Sequence, residues 1–132
     1  MKKPGVLVVN ADRQEGQAVV GLLSDLTYQA TPLHGLNDLE SHLEANPTRV
    51  VLLDLDTMRP DNQFFRVFKK RHPGIFILGA SSRSYHPGLE EALGSHIYAC
   101  LAKPLDPEEL LYWLKSIPED SSNSQDERLK DS

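Results

Sequence analysis

The stretch "VVLLDLDTM", residues 50–58, runs four branched apolar residues directly into a carboxylate, with no turn residue between them. Val50, Val51, Leu52 and Leu53 do not alternate with polar residues, so they read as a strand buried on both faces, which is how a parallel strand under two layers of helix looks. Asp54 then stands at the carboxyl end of that strand. A charged group in that place is either a cap facing water or chemistry held at the rim of a sheet.

Working outward, four more β-type runs appear: "GVLVVN" (5–10), "YQATPLH" (28–34), "GIFILGA" (74–80) and "HIYACLA" (96–102). The first and fourth runs of the chain share the continuous apolar character of the third. Pro32 marks the second run as an edge strand, because proline cannot donate to a central ladder. Between the runs, apolar residues recur at helical spacing: Val19, Leu22, Leu23 and Leu26; Leu36, Leu39 and Leu43; Phe64, Phe65 and Phe68; Leu89, Ala92 and Leu93. A last helix opens with Asp106 as N-cap, Pro107 at the first helical position and Glu109 at the capping-box position. Its apolar face is Leu110, Leu111, Leu114 and Ile117. Strand and helix alternate throughout, which predicts an α/β fold with a doubly wound parallel sheet, right-handed crossovers and helices on both faces.

At 132 residues the chain is one domain by length. Residues 1–117 carry the periodic pattern. From Pro118 to Ser132 the composition turns to serines and five acids against two bases, with a single leucine, and predicts a disordered tail or linker. The formal charge of −5 argues against a dedicated nucleic-acid surface. Cys100 is the only cysteine, so no intrachain disulfide forms, and it reads as a small buried hydrophobe. The lysines at positions 2 and 3 precede an apolar run too short for a signal peptide or a membrane span. The expected compartment is the reducing cytoplasm.

In a doubly wound sheet, ligands collect at the carboxyl ends of the strands, where the strand order reverses. Those ends read Asn10-Ala11-Asp12, Asp54-Leu55-Asp56, Ser81-Ser82 and Lys103-Pro104. Taken singly each has a bland explanation: Asp12 caps the following helix, Ser81 satisfies a turn, Lys103 is solvated. A carboxylate, a hydroxyl and an ammonium arriving together from separate strands point to chemistry.

Here the sequence resembles the receiver domain of two-component response regulators, over roughly residues 5–117. "VVLLDLDTM" resembles the family's phosphoacceptor strand, with Asp54 at the aspartate that takes phosphate from a histidine kinase. "ILGASS" places Ser81 at the switch hydroxyl. "LAKPLDPEEL" places Lys103 at the phosphate-contacting lysine and Pro104 at a proline that is often cis. The resemblance implies a flavodoxin-like sheet in the order 2-1-3-4-5. It also implies Mg²⁺ as cofactor, held by Asp54, by the backbone carbonyl of Asp56 and, if the loop rearranges, by Asp12. The function implied is signalling rather than enzymatic catalysis.

The match departs from the family at the metal. Asn10 and Ala11 stand where the family has an acidic pair, so Mg²⁺ binding is expected to be weak or absent. Cys100 replaces the large aromatic switch residue three positions before Lys103. These departures predict a degenerate receiver acting through protein contacts, with a homodimer through the fourth and fifth helices. It would regulate an attached or separate transcriptional effector, and any DNA contact would fall to another domain. The alternative is a conventional phospho-accepting receiver using Asp54, partnered by a histidine kinase or phosphotransfer protein.

A haloacid-dehalogenase-like phosphatase is a remote alternative, since "DLDTM" resembles its Asp-x-Asp start, but that motif belongs on a first strand and no later acidic pair follows. "GASS" lacks the G-x-S-x-G elbow of a serine hydrolase. The five histidines (34, 42, 72, 86 and 96) show no metal-ligand spacing and read as surface residues. The basic cluster "FKKRH" (68–72) reads as a helix end whose charges suit the macrodipole.

Overall fold

The computed structural model describes residues 5–118. In chain order the elements are β1 (Gly5–Val9), α1 (Arg13–Asp25), β2 (Ala30–Leu33), α2 (Leu39–Ala45, led in by a 3₁₀ turn at Leu36–Asp38), β3 (Thr48–Asp54), α3 (Leu55–Met58), α4 (Asn62–Arg71), β4 (Phe76–Ser81), α5 (Glu90–Ser95), β5 (Ala99–Ala102) and α6 (Pro107–Ser116). The five strands form one sheet in the order β2-β1-β3-β4-β5, with every neighbouring pair parallel. The strand order and the edge position of Pro32 agree with the sequence reading.

The continuous apolar runs are explained by two cores. Leu7, Val9, Val51, Leu53 and Ile77 face one side, where Leu39, Phe65, Phe68 and Ala92 cover them. Val6, Val8, Val50, Leu52, Leu78 and Leu101 face the other, under Leu23, Leu110 and Leu114. Successive strand residues point to opposite faces, so a strand sandwiched between helices must be apolar at both parities.

Aspartate N-caps open α1, α3, α4 and α6, whereas α2 and α5 start without a side-chain cap. Asp106 caps α6 by accepting from the Glu108 N–H, with Pro107 at the first helical position. Ile117 ends that helix in extended conformation and is buried, as suits a residue before proline. Pro118 is exposed and its carbonyl accepts from the Arg49 guanidinium. The rest of the predicted tail, 119–132, lies outside the described residues.

Three expectations are corrected. Cys100 is exposed rather than buried. Ala99 and Leu101 pack into the α1–α6 core, so Cys100 points to the opposite face of β5, an edge strand of the sheet. The histidines are half-buried, not freely exposed. His72 and His96 lie 2.9 and 3.3 Å from Glu40 and Glu91, and His34 Nδ1 donates to the Asn10 carbonyl at 2.9 Å. Finally, a one-turn helix, α3, directly follows the phosphoacceptor-like strand where none was predicted.

Candidate functional site

Asp54 ends β3 at the middle of the sheet and is 3% exposed. It is also the N-cap of α3: its Oδ2 accepts from the Thr57 N–H at 2.9 Å and from the Thr57 hydroxyl at 2.8 Å. Its other oxygen, Oδ1, accepts from Lys103 Nζ at 2.7 Å. Lys103 is brought there by β5 and its loop, where the Lys103–Pro104 peptide bond is cis, as the resemblance suggested.

The ammonium of Lys103 meets two further carboxylates: Glu15 Oε2 of α1 at 2.8 Å and Asp56 Oδ2 of α3 at 3.2 Å. Burial disfavours its charge, but hydrogen bonds to Asp54, Glu15 and Asp56 outweigh that, and its pKa lies well above the ordinary lysine value. Lys103 is therefore the cation around which the site is organised.

Asp56 brings its carboxylate into the site, beyond the backbone role expected of it. Its Oδ1 accepts from Ser81 Oγ at 2.7 Å, and its Oδ2 accepts from the backbone N–H and the hydroxyl of Ser82, both at 2.9 Å. Burial works against its ionised form, but the Ser81, Ser82 and Lys103 donors more than compensate and hold its carboxyl well below the usual range. Ser81 is 1% exposed at the end of β4. Its oxygen in turn accepts from the Arg83 N–H at 3.0 Å, so both its donor and acceptor capacity are engaged.

The remaining site position is the β1 end. Asn10 is 3% exposed, and its Oδ1 accepts from the Asp12 N–H at 2.9 Å. The Thr57 hydroxyl lies 3.1 Å from that same Oδ1 and also accepts from the Ala11 N–H at 3.1 Å. Thr57 thus stands between Asn10 and Asp54, bridging β1 to β3. Asp12 is exposed, and its carboxylate caps α1 by accepting from the Glu15 N–H at 3.0 Å. This is the bland reading of Asp12, and it directs that carboxylate to the helix start.

In this arrangement the oxygens nearest the β1 and β3 ends are already engaged. A magnesium ion asks for several oxygens in octahedral array. Both oxygens of Asp54 are already paired, Asn10 Oδ1 faces a backbone N–H, Ala11 has no side-chain oxygen and Asp12 is committed to a helix. Among the described residues, no group of three or more His, Cys, Asp or Glu side chains is arranged to hold a metal ion.

Of the predicted site residues, Asp54, Asp56, Ser81 and Lys103 converge, and Asp12 does not join them. Glu15, Thr57 and Ser82 were missed. Two faint signals existed: D-x-x-E at Asp12–Glu15 marks a helix start, and D-x-x-T at Asp54–Thr57 is the spacing of an N-cap reaching its third helical residue. The basic cluster of α4 closes that helix: Lys69 Nζ donates to the Ile75 carbonyl at 2.6 Å, and Arg71 lies 3.9 Å from Glu40.

No family model matches the sequence, and no curated protein matches it significantly. Solved structures do match. The signal receiver domain of an HD domain-containing protein from Pseudomonas fluorescens Pf-5 superposes with a TM-score of 0.76 at 20% identity, covering 88% of this chain and 94% of that one. A response regulator receiver domain protein from Methanospirillum hungatei JF-1 gives 0.72 at 18% identity, covering 99% and 100%. A chemotaxis protein of Vibrio cholerae gives 0.73 at 19% identity, covering 88% and 99%. The chain has the receiver-domain fold, in a form far diverged in sequence.

Proposed function

We propose that this chain is a signal-transduction receiver domain that works through protein contacts, with little or no dependence on Mg²⁺ or on phosphorylation of Asp54. The observation that carries the reading is the environment of Lys103, whose ammonium is shared by Asp54, Glu15 and Asp56 at 2.7, 2.8 and 3.2 Å. Phosphoryl transfer is dominated by positioning and charge neutralisation, so it needs a free carboxylate and free cations around it. In this chain the carboxylate is capped by Thr57 and the ammonium is neutralised three times over.

The partner expected is a second copy, meeting through the helices predicted as fourth and fifth, which are α5 and α6. Tyr112 on α6 is 64% exposed and Tyr98 beside β5 is 39% exposed. Exposed tyrosines of this kind suit an interface, with an apolar ring and a hydroxyl for the rim. The chain is a signalling module rather than a catalyst, acting in the cytoplasm and passing its state to an attached or separate transcriptional effector. No helix among the described residues is long and apolar enough to cross a membrane.

Sedimentation velocity with and without acetyl phosphate and Mg²⁺, on wild type and Asp54→Asn, tests the reading. The same self-association in all four samples is expected. A shift toward dimer seen in wild type under phosphorylating conditions, and missing in Asp54→Asn, would restore the conventional phospho-accepting receiver.

A further inference from the structure

The donors around Asp56 form a site in their own right. The Ser81 hydroxyl, the Ser82 backbone N–H, the Ser82 hydroxyl and the Lys103 ammonium come from the end of β4 and from the loop after β5, and all point at one carboxylate within 2.7–3.2 Å. Two hydroxyls, a backbone N–H and an ammonium aimed at one point make a cradle for an oxyanion. An ionised carboxylate offers about four lone-pair directions; here Oδ1 takes one donor and Oδ2 takes three.

The fold delivers Asp56 to this point by design of its neighbours. Asp54 caps α3, which turns the chain back over β4 immediately after β3. Leu55 is 4% exposed and lies over Gly79; a Cβ at position 79 would come within 3.2 Å of Leu55 Cδ1. Glycine there lets α3 settle onto β4, so that the next residue, Asp56, reaches Ser81 and Ser82. The Ser81 hydroxyl donates to Asp56 and accepts from the Arg83 N–H, which holds its orientation from both sides.

We propose that the chain fills the cluster of Ser81, Ser82 and Lys103, whose hydroxyl and ammonium the resemblance assigns to phosphate, with its own Asp56 carboxylate. That carboxylate thereby fixes the end of β4 in the arrangement that a bound phosphate-sized oxyanion would otherwise impose. The inference deepens the proposed function, because it gives the physical reason why this receiver can hold one signalling state without phosphate. It rests on that reading only for its meaning, and the site itself can be tested apart from it.

The test uses the full chain with Asp56→Ala and, as a second opening of the same space, Asp56→Ser. Sulfate and inorganic phosphate are titrated at constant ionic strength against chloride, followed by backbone amide NMR shifts and by thermal melting. Removing a fixed anion from within about 4 Å of the cradle should raise oxyanion affinity at least roughly tenfold over wild type. Saturable shifts centred on Ser82, Arg83 and Lys103 are expected in the variants, together with a melting temperature that rises with anion concentration beyond the chloride control. Wild type should show neither effect. Saturable binding of the same strength in wild type, or folded variants that ignore both anions, would overturn the proposal. Phosphorylation of the wild-type chain at Asp54 would instead contradict the proposed function, and the variants' anion capture would still be read on its own.

Discussion

Replacing Lys103 by methionine removes the only ammonium among the described residues that reaches Asp54, Glu15 and Asp56, at 2.7, 2.8 and 3.2 Å, while keeping most of the side chain's length. Asp54 is 3% exposed, so its charge would be left buried with only the Thr57 donors. Deleting one partner of a buried ion pair typically costs about 3–5 kcal/mol. Glu15 and Asp56 are 34% and 20% exposed and can recover water, so they add little beyond that range. For a domain of this size about 4 °C is lost per kcal/mol, which places the fall in Tm at about 12–20 °C. Asp54→Asn should behave very differently. It keeps the shape, leaves Lys103 with two carboxylates and relieves repulsion among three acids, so a loss of about 1–2 kcal/mol is expected. Urea unfolding with m-values checked for constancy reads both variants. A Lys103→Met cost below about 1 kcal/mol, or no larger than that of Asp54→Asn, would refute the view that one partly buried cation organises the site.

Further outcomes follow from the same geometry. Wild type titrated with Mg²⁺ and followed by amide shifts around Asp54 should not saturate below millimolar metal, whereas the double change Asn10→Asp, Ala11→Asp should bind at least roughly tenfold more tightly, since it supplies the missing anionic oxygens. Thr57→Val should cost about 1–2 kcal/mol in urea unfolding, because it removes a hydroxyl that bonds a charged carboxylate and leaves the Ala11 N–H to water. Acid should expose the Asp56 network: its folded pKa lies below the ordinary 3.8, so its stabilisation is complete above that pH and is lost as pH falls toward the folded value. Asp56→Asn should flatten that limb of the stability curve. Lys103, with a folded pKa raised above the ordinary 10.5, keeps its contribution through neutral pH and loses it only as pH rises through the folded value.

The fold was legible because burial on two faces writes itself into every residue of a strand. Val50 to Leu53 could be read as a central parallel strand without knowing any partner, and Pro32 marked an edge. The strand ends were legible for the same reason: Asp54, Ser81 and Lys103 each follow an apolar run, so the sheet must bring them together. Glu15 was hidden because it approaches Lys103 across 88 positions, from a helix whose rotation the sequence leaves open. Asp56 was expected at the site through its backbone; the role of its carboxylate was hidden by α3, since a turn of helix after β3 redirects a side chain that an extended chain would have carried elsewhere. Cys100 misled because its exposure follows from its place on the edge strand β5, which no property of the residue itself announces.

Intact-mass measurement after incubation with acetyl phosphate and Mg²⁺ tests the central claim most directly. With Asp54 capped by Thr57 and paired with Lys103, and with Asn10 and Ala11 in place of a carboxylate pair, the wild-type chain is predicted to keep its unmodified mass, as Asp54→Asn does. A stable gain of one phosphoryl group in wild type that is absent in Asp54→Asn would contradict the account.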